Sequence, residues 1–244
     1  MRKEIAGQRR AISGDRTQCR IGRLRDSVSV AVIVVLAMMS GCGYSDDNAS
    51  QKINGSIHVL AGKPGDAVAT VNGEIKVDDN GAVTTAATVN GAVHLGAHAT
   101  AVSLKTVNGS ITLDAGAHVA ADTTSVNGAL ALRDGSEVSG RLSNVNGEIE
   151  LETAHVAGGI KTVNGSISIN GNSRVEGGIV VEKPSNGFFH AGNDTPRIVI
   201  GPGAVVQGEL RFEREVKLYV SDKASIGPVS GATPIQYSGD KPPA

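Results

Sequence analysis

The sequence predicts an all-β protein built as a three-sided parallel β-helix, a β-solenoid with coils of 18–20 residues. The triplet Val-Asn-Gly, or Ile-Asn-Gly in the first copy, recurs seven times at successive spacings of 18, 18, 18, 19, 19 and 18 residues. Repetition at a fixed period near this length is typical of stacked repeat architectures. The composition agrees, because 32 glycines and only 2% aromatic residues favour a core of small and aliphatic side chains.

The spacing of aliphatic residues within one repeat predicts the sides of the coil. Val107, Leu113 and Val119 lie six residues apart, so each is expected to face the interior from one side. Thr112 should point outward from beside Leu113, because side chains alternate along a strand. Extra residues in the longer repeats are expected to bulge at a corner, as in 123–125. The handedness of the coil is left open.

The recurring asparagine is interpreted as a structural element of the corners. Glycine and asparagine tolerate the positive φ expected at a tight corner, and an asparagine amide both donates and accepts hydrogen bonds. Stacked at the strand spacing of about 4.8 Å, the amides are expected to form a ladder, with repeated metal or glycan sites as the alternative. The ladder would contain Asn54, Asn72, Asn90, Asn108, Asn127, Asn146 and Asn164.

The chain divides into six segments, which together give about nine expected coils. In order they are a signal peptide with a long basic start (1–41), a lipidated tether (42–52), the regular solenoid (53–181), an inserted loop (182–197), degenerate C-terminal coils (198–230) and an irregular tail (231–244). The inserted loop carries Phe188 and Phe189, which are expected to pack on a solenoid face or to bind a partner or ligand, since long loops on a regular scaffold often serve a function.

The N-terminal segment is typical of an exported lipoprotein. Eight of the 23 Lys and Arg residues but only three of the 24 acidic residues precede Cys42, so the remainder has a net charge of −6. The apolar run at 28–39 is too short for a membrane span, which needs roughly 20 residues. The following Ser-Gly-Cys resembles a lipobox, which implies that Cys42 is diacylated. An ordinary signal peptide or an uncleaved anchor is the alternative.

These features also predict where the protein resides. A lipidated Cys42 makes the lipid bilayer its first partner and places it in the bacterial cell envelope. In Gram-negative lipoproteins an Asp directly after the cysteine favours the inner membrane, so Gly43 implies the outer membrane instead. The acidic body lacks the cationic surface that nucleic-acid binding requires, so no nucleic-acid partner is expected.

Two groups of residues carry a resemblance to known families. The run Gly-Pro-Gly-Ala-Val-Val-Gln-Gly-Glu-Leu at 201–210 resembles the coils of bactofilins, which are polymer-forming β-helical proteins. The Val-Asn-Gly-Ser-Ile copies resemble adhesin-type β-solenoid repeats of bacterial envelopes. The resemblance spans 53 to about 230 and implies a structural or adhesive role. Bactofilins are usually cytoplasmic and lack a lipoprotein signal, and in that respect this chain differs from them.

Two outward columns contain the candidate surface site. The coil register is expected to align His118, Glu137, His155 and Arg174, and this mixed row is either a charge-balanced surface or an acid–base site. A second column, consisting of His58, Lys76 and His94, has no carboxylate of its own. Neither column has the pattern of a metal or cofactor site, and no catalytic residue is assigned.

The expected function is therefore structural, scaffolding or adhesive and not enzymatic, with a wall or surface glycan or an envelope protein as partner. The alternative is a carbohydrate-binding or carbohydrate-processing protein that uses one exposed solenoid face. Pro228 and Pro234 remove backbone donors at the C-terminal end, and Tyr237 is placed to cover the last coil. The N-terminal end is expected to be more open, which favours a monomer or a head-to-head dimer.

Overall fold

The computed structural model describes residues 50–62, 64–184 and 195–243. These residues form 26 strands and no helix, and the strands pair in parallel with their equivalents one turn away. The predicted all-β solenoid is confirmed. Within the same ranges there is no helix long and apolar enough to span a membrane.

One face of the solenoid is a sheet of ten short strands. In stacking order these are β2 (Ile57–Val59), β4 (Ile75–Val77), β6 (Val93–Leu95), β8 (Ile111–Leu113), β11 (Leu130–Leu132), β14 (Ile149–Glu152), β17 (Ile167–Asn170), β20 (Arg197–Ile200), β23 (Lys217–Ser221) and β26 (Ile235–Tyr237). They give about ten turns, one more than the nine predicted. The tail 231–244 was expected to be irregular, but it contributes β26, whose Tyr219↔Ile235 pairing with β23 continues the sheet.

The rest of each turn belongs to a second sheet of 16 strands. The first turns contribute β1 (Ser50–Asn54), β3 (Pro64–Asn72), β5 (Ala82–Asn90) and β7 (Thr100–Asn108). Above β7 the sheet separates into two rows. One row is β9 (His118–Val119), β12 (Glu137–Val138), β15 (His155–Val156), β18 (Arg174–Val175), β21 (Val205–Val206) and β24 (Ser225–Ile226). The other is β10 (Thr123–Asn127), β13 (Leu142–Asn146), β16 (Ile160–Thr162), β19 (Ile179–Val181), β22 (Leu210–Phe212) and β25 (Val229–Ser230). The upper turns thus have three strand segments each, while the three-sided cross-section stays a prediction.

A single extra residue explains why the long strands divide. Ala101 pairs with Val119, and Leu104 pairs with Thr123. Two residues therefore separate the paired positions within β7, whereas three residues separate them in the next turn, between β9 and β10. The additional residue interrupts the alternation of the strand and ends its pairing. It lies before Thr123, and the prediction that placed it within 123–125 is wrong.

The interior of the solenoid is a column of aliphatic side chains. Leu113 is fully buried and lies between Leu95 and Leu132 in the turns below and above. Thr112 points outward between Ile111 and Leu113, as the burial alternation of β8 shows. Each buried aliphatic side chain contributes about 1.5–3 kcal/mol, and almost no aromatic side chain is needed because the column is narrow.

The triplet valines are not part of the aliphatic core, so that prediction is wrong, although Val126 is itself buried. In β7 Thr106 is buried, whereas Val107 is partly exposed, because neighbouring residues of a strand point to opposite faces. In the first turn the residue at the same position, Ile53, is 70% exposed. The six-residue spacing therefore correctly predicts that Leu113 and Val119 face inward. At the corner the inward residue is Thr106, one position before the predicted Val107.

The two ends of the described solenoid differ. Residues 51–56 at the N-terminal end are all exposed, and Leu60 is half exposed. At the other end Tyr237 is buried, and its hydroxyl has no hydrogen-bond partner within the described ranges. Burial, together with the nearby Asp222 carboxylate, raises the pKa of Tyr237, so this phenol in the last strand stays neutral to higher pH.

We predict that Leu113→Asp and Thr112→Asp differ sharply in stability. The first change places a carboxylate in the aliphatic column and should lower the free energy of unfolding by more than about 3 kcal/mol. The second places it on the outer face and should change the value by less than about 1 kcal/mol. Urea unfolding followed by circular dichroism measures both, and equal losses would contradict the inward register of Leu113.

Candidate functional site

The seven triplet asparagines form one continuous chain of side-chain hydrogen bonds. Each amide nitrogen donates to the amide oxygen of the asparagine one turn closer to the N-terminus, at 2.8–2.9 Å, from the Asn72–Asn54 pair to the Asn164–Asn146 pair. All the amide oxygens therefore point toward the C-terminal end. The ladder runs over seven turns and joins each of them to the next through a polar side chain outside the core.

Arg214 closes this ladder at its C-terminal end. Its guanidinium donates to Asn164 Oδ1 and to the carbonyl oxygen of Val163 at 3.3 Å. A positive charge therefore lies where the aligned amide dipoles present their oxygens, and the two attract. Sequence reasoning missed Arg214. The signal was its register. Thr162 and Phe212 lie in the same column, two turns apart. Arg214 follows Phe212 by two residues, as Asn164 follows Thr162, so Arg214 lies in line with the asparagines.

A second hydrogen-bond column lies two residues before five of the seven asparagines and was also missed. Buried hydroxyls or an amide at these positions donate to the carbonyl oxygen of the triplet glycine in the turn below, at 3.0–3.3 Å. The pairs are Thr70–Gly55, Thr88–Gly73, Thr106–Gly91, Ser125–Gly109 and Asn144–Gly128. The sequence signal was that only Thr, Ser or Asn occurs at these positions, from Thr70 to Thr162. This column satisfies the carbonyl groups that the corner turns inward.

Close approach of successive turns explains most of the triplet glycines. A Cβ atom on Gly91 would lie 1.9 Å from the carbonyl oxygen of Gly73, and one on Gly109 would lie equally close to that of Gly91. Among the seven triplet glycines only Gly55 and Gly147 have a positive φ, and none of the seven asparagines does. The prediction that the corner requires positive φ is therefore wrong at the other five turns. Glycine is required there because the next turn occupies the place of a side chain.

The structure brings together the predicted column of His118, Glu137, His155 and Arg174. These residues pair in register on successive short strands. Glu137 lies between the two histidines, with 3.5 Å from each of its carboxylate oxygens to one Nδ1 atom. The side chains are between one third and one half exposed, so solvent screens these charge pairs.

Glu176 is a further member of this column that sequence reasoning missed. Its Oε1 atom lies 3.2 Å from Arg174 Nε and 3.3 Å from His155 Nε2. The hydrogen bond from Arg174, and after it the nearby imidazole of His155, lowers the pKa of Glu176. The signal was alternation, because Glu176 follows Arg174 by two residues and therefore points to the same outer face. Basic side chains and carboxylates therefore alternate along the whole column.

The second column pairs with carboxylates from outside it. His58, Lys76 and His94 are in register. His58 Nε2 lies 2.5 Å from Asp78 Oδ1, and His94 Nε2 lies 2.9 Å from Asp114 Oδ2. The carboxylate that the column itself lacks is thus supplied by an aspartate near the end of β4 or β8. Across the described part of the chain, no group of three or more His, Cys, Asp or Glu residues could hold a metal ion.

A polar groove lies beside the upper turns, under the C-terminal tail. Its volume is about 870 Å³, and it is lined by residues that include Glu148, Ser166, Ser168, Asn170, Asp240 and Lys241. Arg197, which also lines it, donates to the carbonyl oxygen of Pro243 at 2.8 Å and lies 4.8 Å from the centre of the Tyr219 ring. The groove has both signs of charge and several hydroxyl and amide groups.

Three predicted site residues fall outside the described ranges. They are Cys42, Phe188 and Phe189. The insertion that carries the two phenylalanines lies between β19, which ends at Val181, and β20, which begins at Arg197. Val181 pairs with Thr162, so β19 ends two residues before the position above Asn164, where the asparagine ladder ends.

We predict that the ladder tolerates a carboxylate at its open end but not in its middle. Asn108→Asp removes the donor to Asn90 and sets two oxygens against each other, so it should lower the free energy of unfolding by about 1–3 kcal/mol. Asn54→Asp is the matched control, because Asn54 accepts from Asn72 but donates its amide to no described residue, and it should change stability by less than about 0.5 kcal/mol. Urea denaturation compares the two, and equal effects would mean that the ladder contributes nothing.

The comparisons with known proteins leave the chain's own residues as the only guide to function. No family model matches the chain, and neither a curated protein nor a solved structure matches it.

Proposed function

We propose that this protein is a lipid-anchored β-solenoid of the bacterial cell envelope with a structural, scaffolding or adhesive role. The observation that best supports the proposal is the uninterrupted asparagine ladder, closed by Arg214, alongside a continuous aliphatic core. About ten turns at the strand spacing give a body roughly 48 Å long. Backbone pairing, the ladder and the hydroxyl column link successive turns, so the body is suited to act as a stiff spacer.

The anchor of this proposal is Cys42. After removal of residues 1–41 it would carry the acyl chains, and two chains are enough for stable membrane attachment. The first strand begins at Ser50, so a short tether would join it to the bilayer. In this arrangement the C-terminal turns lie far from the membrane. Gly43 favours the outer membrane over the inner one.

The surface charges support a binding or structural role over catalysis. In both columns the histidines lie next to carboxylates of the protein itself, whereas a general acid or base has to reach a proton on a substrate. The proposal therefore includes no enzyme activity, cofactor or metal. The resemblance to bactofilins and to adhesin-type solenoids belongs to the proposal as well, and it suggests an envelope protein or a wall or surface glycan as partner.

The polar groove favours a second candidate function, carbohydrate binding or processing. Its hydroxyl, amide and carboxylate groups are the kinds of group that hydrogen-bond sugar hydroxyls. The stiff solenoid remains the better-supported proposal, because the ladder and the core extend along many turns, whereas the groove is confined to a few near the C-terminal end.

We predict that Cys42→Ser releases the protein from membranes. Only the thiol accepts the diacylglyceryl group, so the variant should lose lipid labelling and leave the detergent phase on phase partition. Cys19→Ser, which changes the other cysteine of the chain, should leave both properties unchanged. Unaltered membrane association of the Cys42 variant would contradict the lipoprotein assignment.

We also predict that the region from Tyr44 onward is a monomer or a head-to-head dimer in solution. Residues 51–56 at the N-terminal end are all exposed, whereas Pro228 and Pro234 remove backbone donors at the other end. Analytical ultracentrifugation and electron microscopy, with and without cell-wall and surface glycans, measure this. Long unbranched filaments would favour a bactofilin-like polymer instead. Specific glycan binding that is lost on changing Ser166 and Ser168 would favour the carbohydrate alternative.

A further inference from the structure

The repeat places a chemically fragile dipeptide at one corner of each of seven turns. Asparagine followed by glycine loses its side-chain amide more readily than other pairs, because no side chain shields the glycine nitrogen as it attacks the amide carbon, and asparagine is among the thermolabile residues. The described ranges contain nine Asn-Gly pairs, seven in the ladder and two at Asn80 and Asn170. A long-lived solenoid built on this sequence has to restrain those nitrogens.

Seven of the nine glycine nitrogens are held in hydrogen bonds. Five ladder glycines donate to the carbonyl oxygen of the next asparagine up the column, at 2.9–3.1 Å, in the pairs Gly55–Asn72, Gly73–Asn90, Gly91–Asn108, Gly109–Asn127 and Gly128–Asn146. Gly165 donates to Thr162 Oγ1 at 3.0 Å, and Gly81 donates to the Asp78 carbonyl oxygen at 2.9 Å. In these seven pairs the hydrogen bond has to break before the nitrogen can lose its proton and attack.

Gly147 and Gly171 are the exceptions. Neither nitrogen has an acceptor within the described ranges, both residues are exposed, and their φ angles are +136° and +60°. At Gly147 only one of the two usual backbone hydrogen bonds to the turn above is present. Asn164 still donates to the Val145 carbonyl oxygen at 2.8 Å, but the bond expected from the Gly147 nitrogen to Asn164 is missing.

We propose that Asn146 and Asn170 are the sites of spontaneous deamidation in the folded protein. At Asn146 a base removes the Gly147 amide proton, and the nitrogen then attacks Asn146 Cγ. The new N–Cγ bond replaces the Cγ–Nδ2 bond, and Nδ2 takes up a proton and leaves as ammonia. Water then opens the cyclic imide. Cleavage at Cγ gives aspartate, whereas cleavage at the main-chain carbonyl carbon gives isoaspartate, and water is the only other reactant consumed.

The two sites differ in what their modification does to the fold. An aspartate at 146 cannot donate to Asn127 Oδ1, which the amide now contacts at 2.8 Å. An isoaspartate adds an atom to the main chain and shifts the end of β13 out of register with Asn127. Asn170 lies outside the ladder and donates only to Ser168 among the described residues. Deamidation at Asn146 therefore interrupts the ladder, while deamidation at Asn170 leaves it whole.

Peptide mapping of the aged protein tests the proposal with internal controls. The full chain is incubated in detergent at mildly alkaline pH, and aspartate and isoaspartate are quantified by mass spectrometry at each Asn-Gly pair. Asn146 and Asn170 should convert about twofold to tenfold faster than the other seven, as expected for loss of one hydrogen bond. In denaturant the nine rates should converge. Equal rates in the folded protein, or fastest conversion at one of the seven restrained pairs, would overturn the proposal.

A matched pair of variants tests the cause. Thr162→Val removes the acceptor of the Gly165 nitrogen and should raise the Asn164 rate toward that of Asn146. Thr88→Val makes the same change in the same column, but it removes only a bond to the Gly73 carbonyl oxygen, so the rates at Asn72 and Asn90 should not change. Circular dichroism verifies that both variants are folded. An unchanged Asn164 rate in the folded first variant, or a comparable rise at Asn72 or Asn90 in the second, would refute protection by the hydrogen-bonded nitrogen.

Discussion

The close approach of successive backbone turns at the asparagine–glycine corner is the constraint on which the rest of this solenoid depends. The carbonyl oxygen of one glycine occupies the position where the next would carry a Cβ atom, so the turns can stack at the strand spacing only if that residue is glycine. This stacking brings the asparagine amides within 2.8–2.9 Å of each other and the inner hydroxyls within reach of the glycine carbonyls. The ladder and the hydroxyl column therefore both follow from one steric condition.

The same condition explains how the core can do without aromatic side chains. Parallel strands in register place identical or similar residues above one another, so Leu95, Leu113 and Leu132 fill a column of constant width. A narrow interior is filled well by side chains of uniform size and does not require large ones. The outer face is then free to vary, and it carries alternating basic and acidic side chains along one edge and a polar groove near the C-terminal end.

The sequence predicted the architecture because its period is a property of the whole coil, but it did not predict the side-chain phase at every position. The prediction placed Val107 in the interior and did not consider Thr106. A buried threonine is expected only where its hydroxyl has a hydrogen-bond partner, and that partner, a carbonyl oxygen of the turn below, is not visible in the sequence. Arg214 and Glu176 were missed for a related reason. Each acts across turns, on Asn164 and on His155, and such contacts depend on a register that insertions and extra residues hide.

The end of the ladder also divides the solenoid mechanically. Up to Asn164 every turn is joined to the next by backbone pairing and by an asparagine. The turns built from β20 to β26 have backbone pairing, core contacts and isolated side-chain hydrogen bonds such as that from Ser230 to Glu209, with Arg214 as their link to the ladder. A pulling force applied at the C-terminal end would meet its weakest resistance in those upper turns and would unwind them first. The ladder-bearing turns would then remain as a shorter rod, so the protein would lengthen under load before its main body failed.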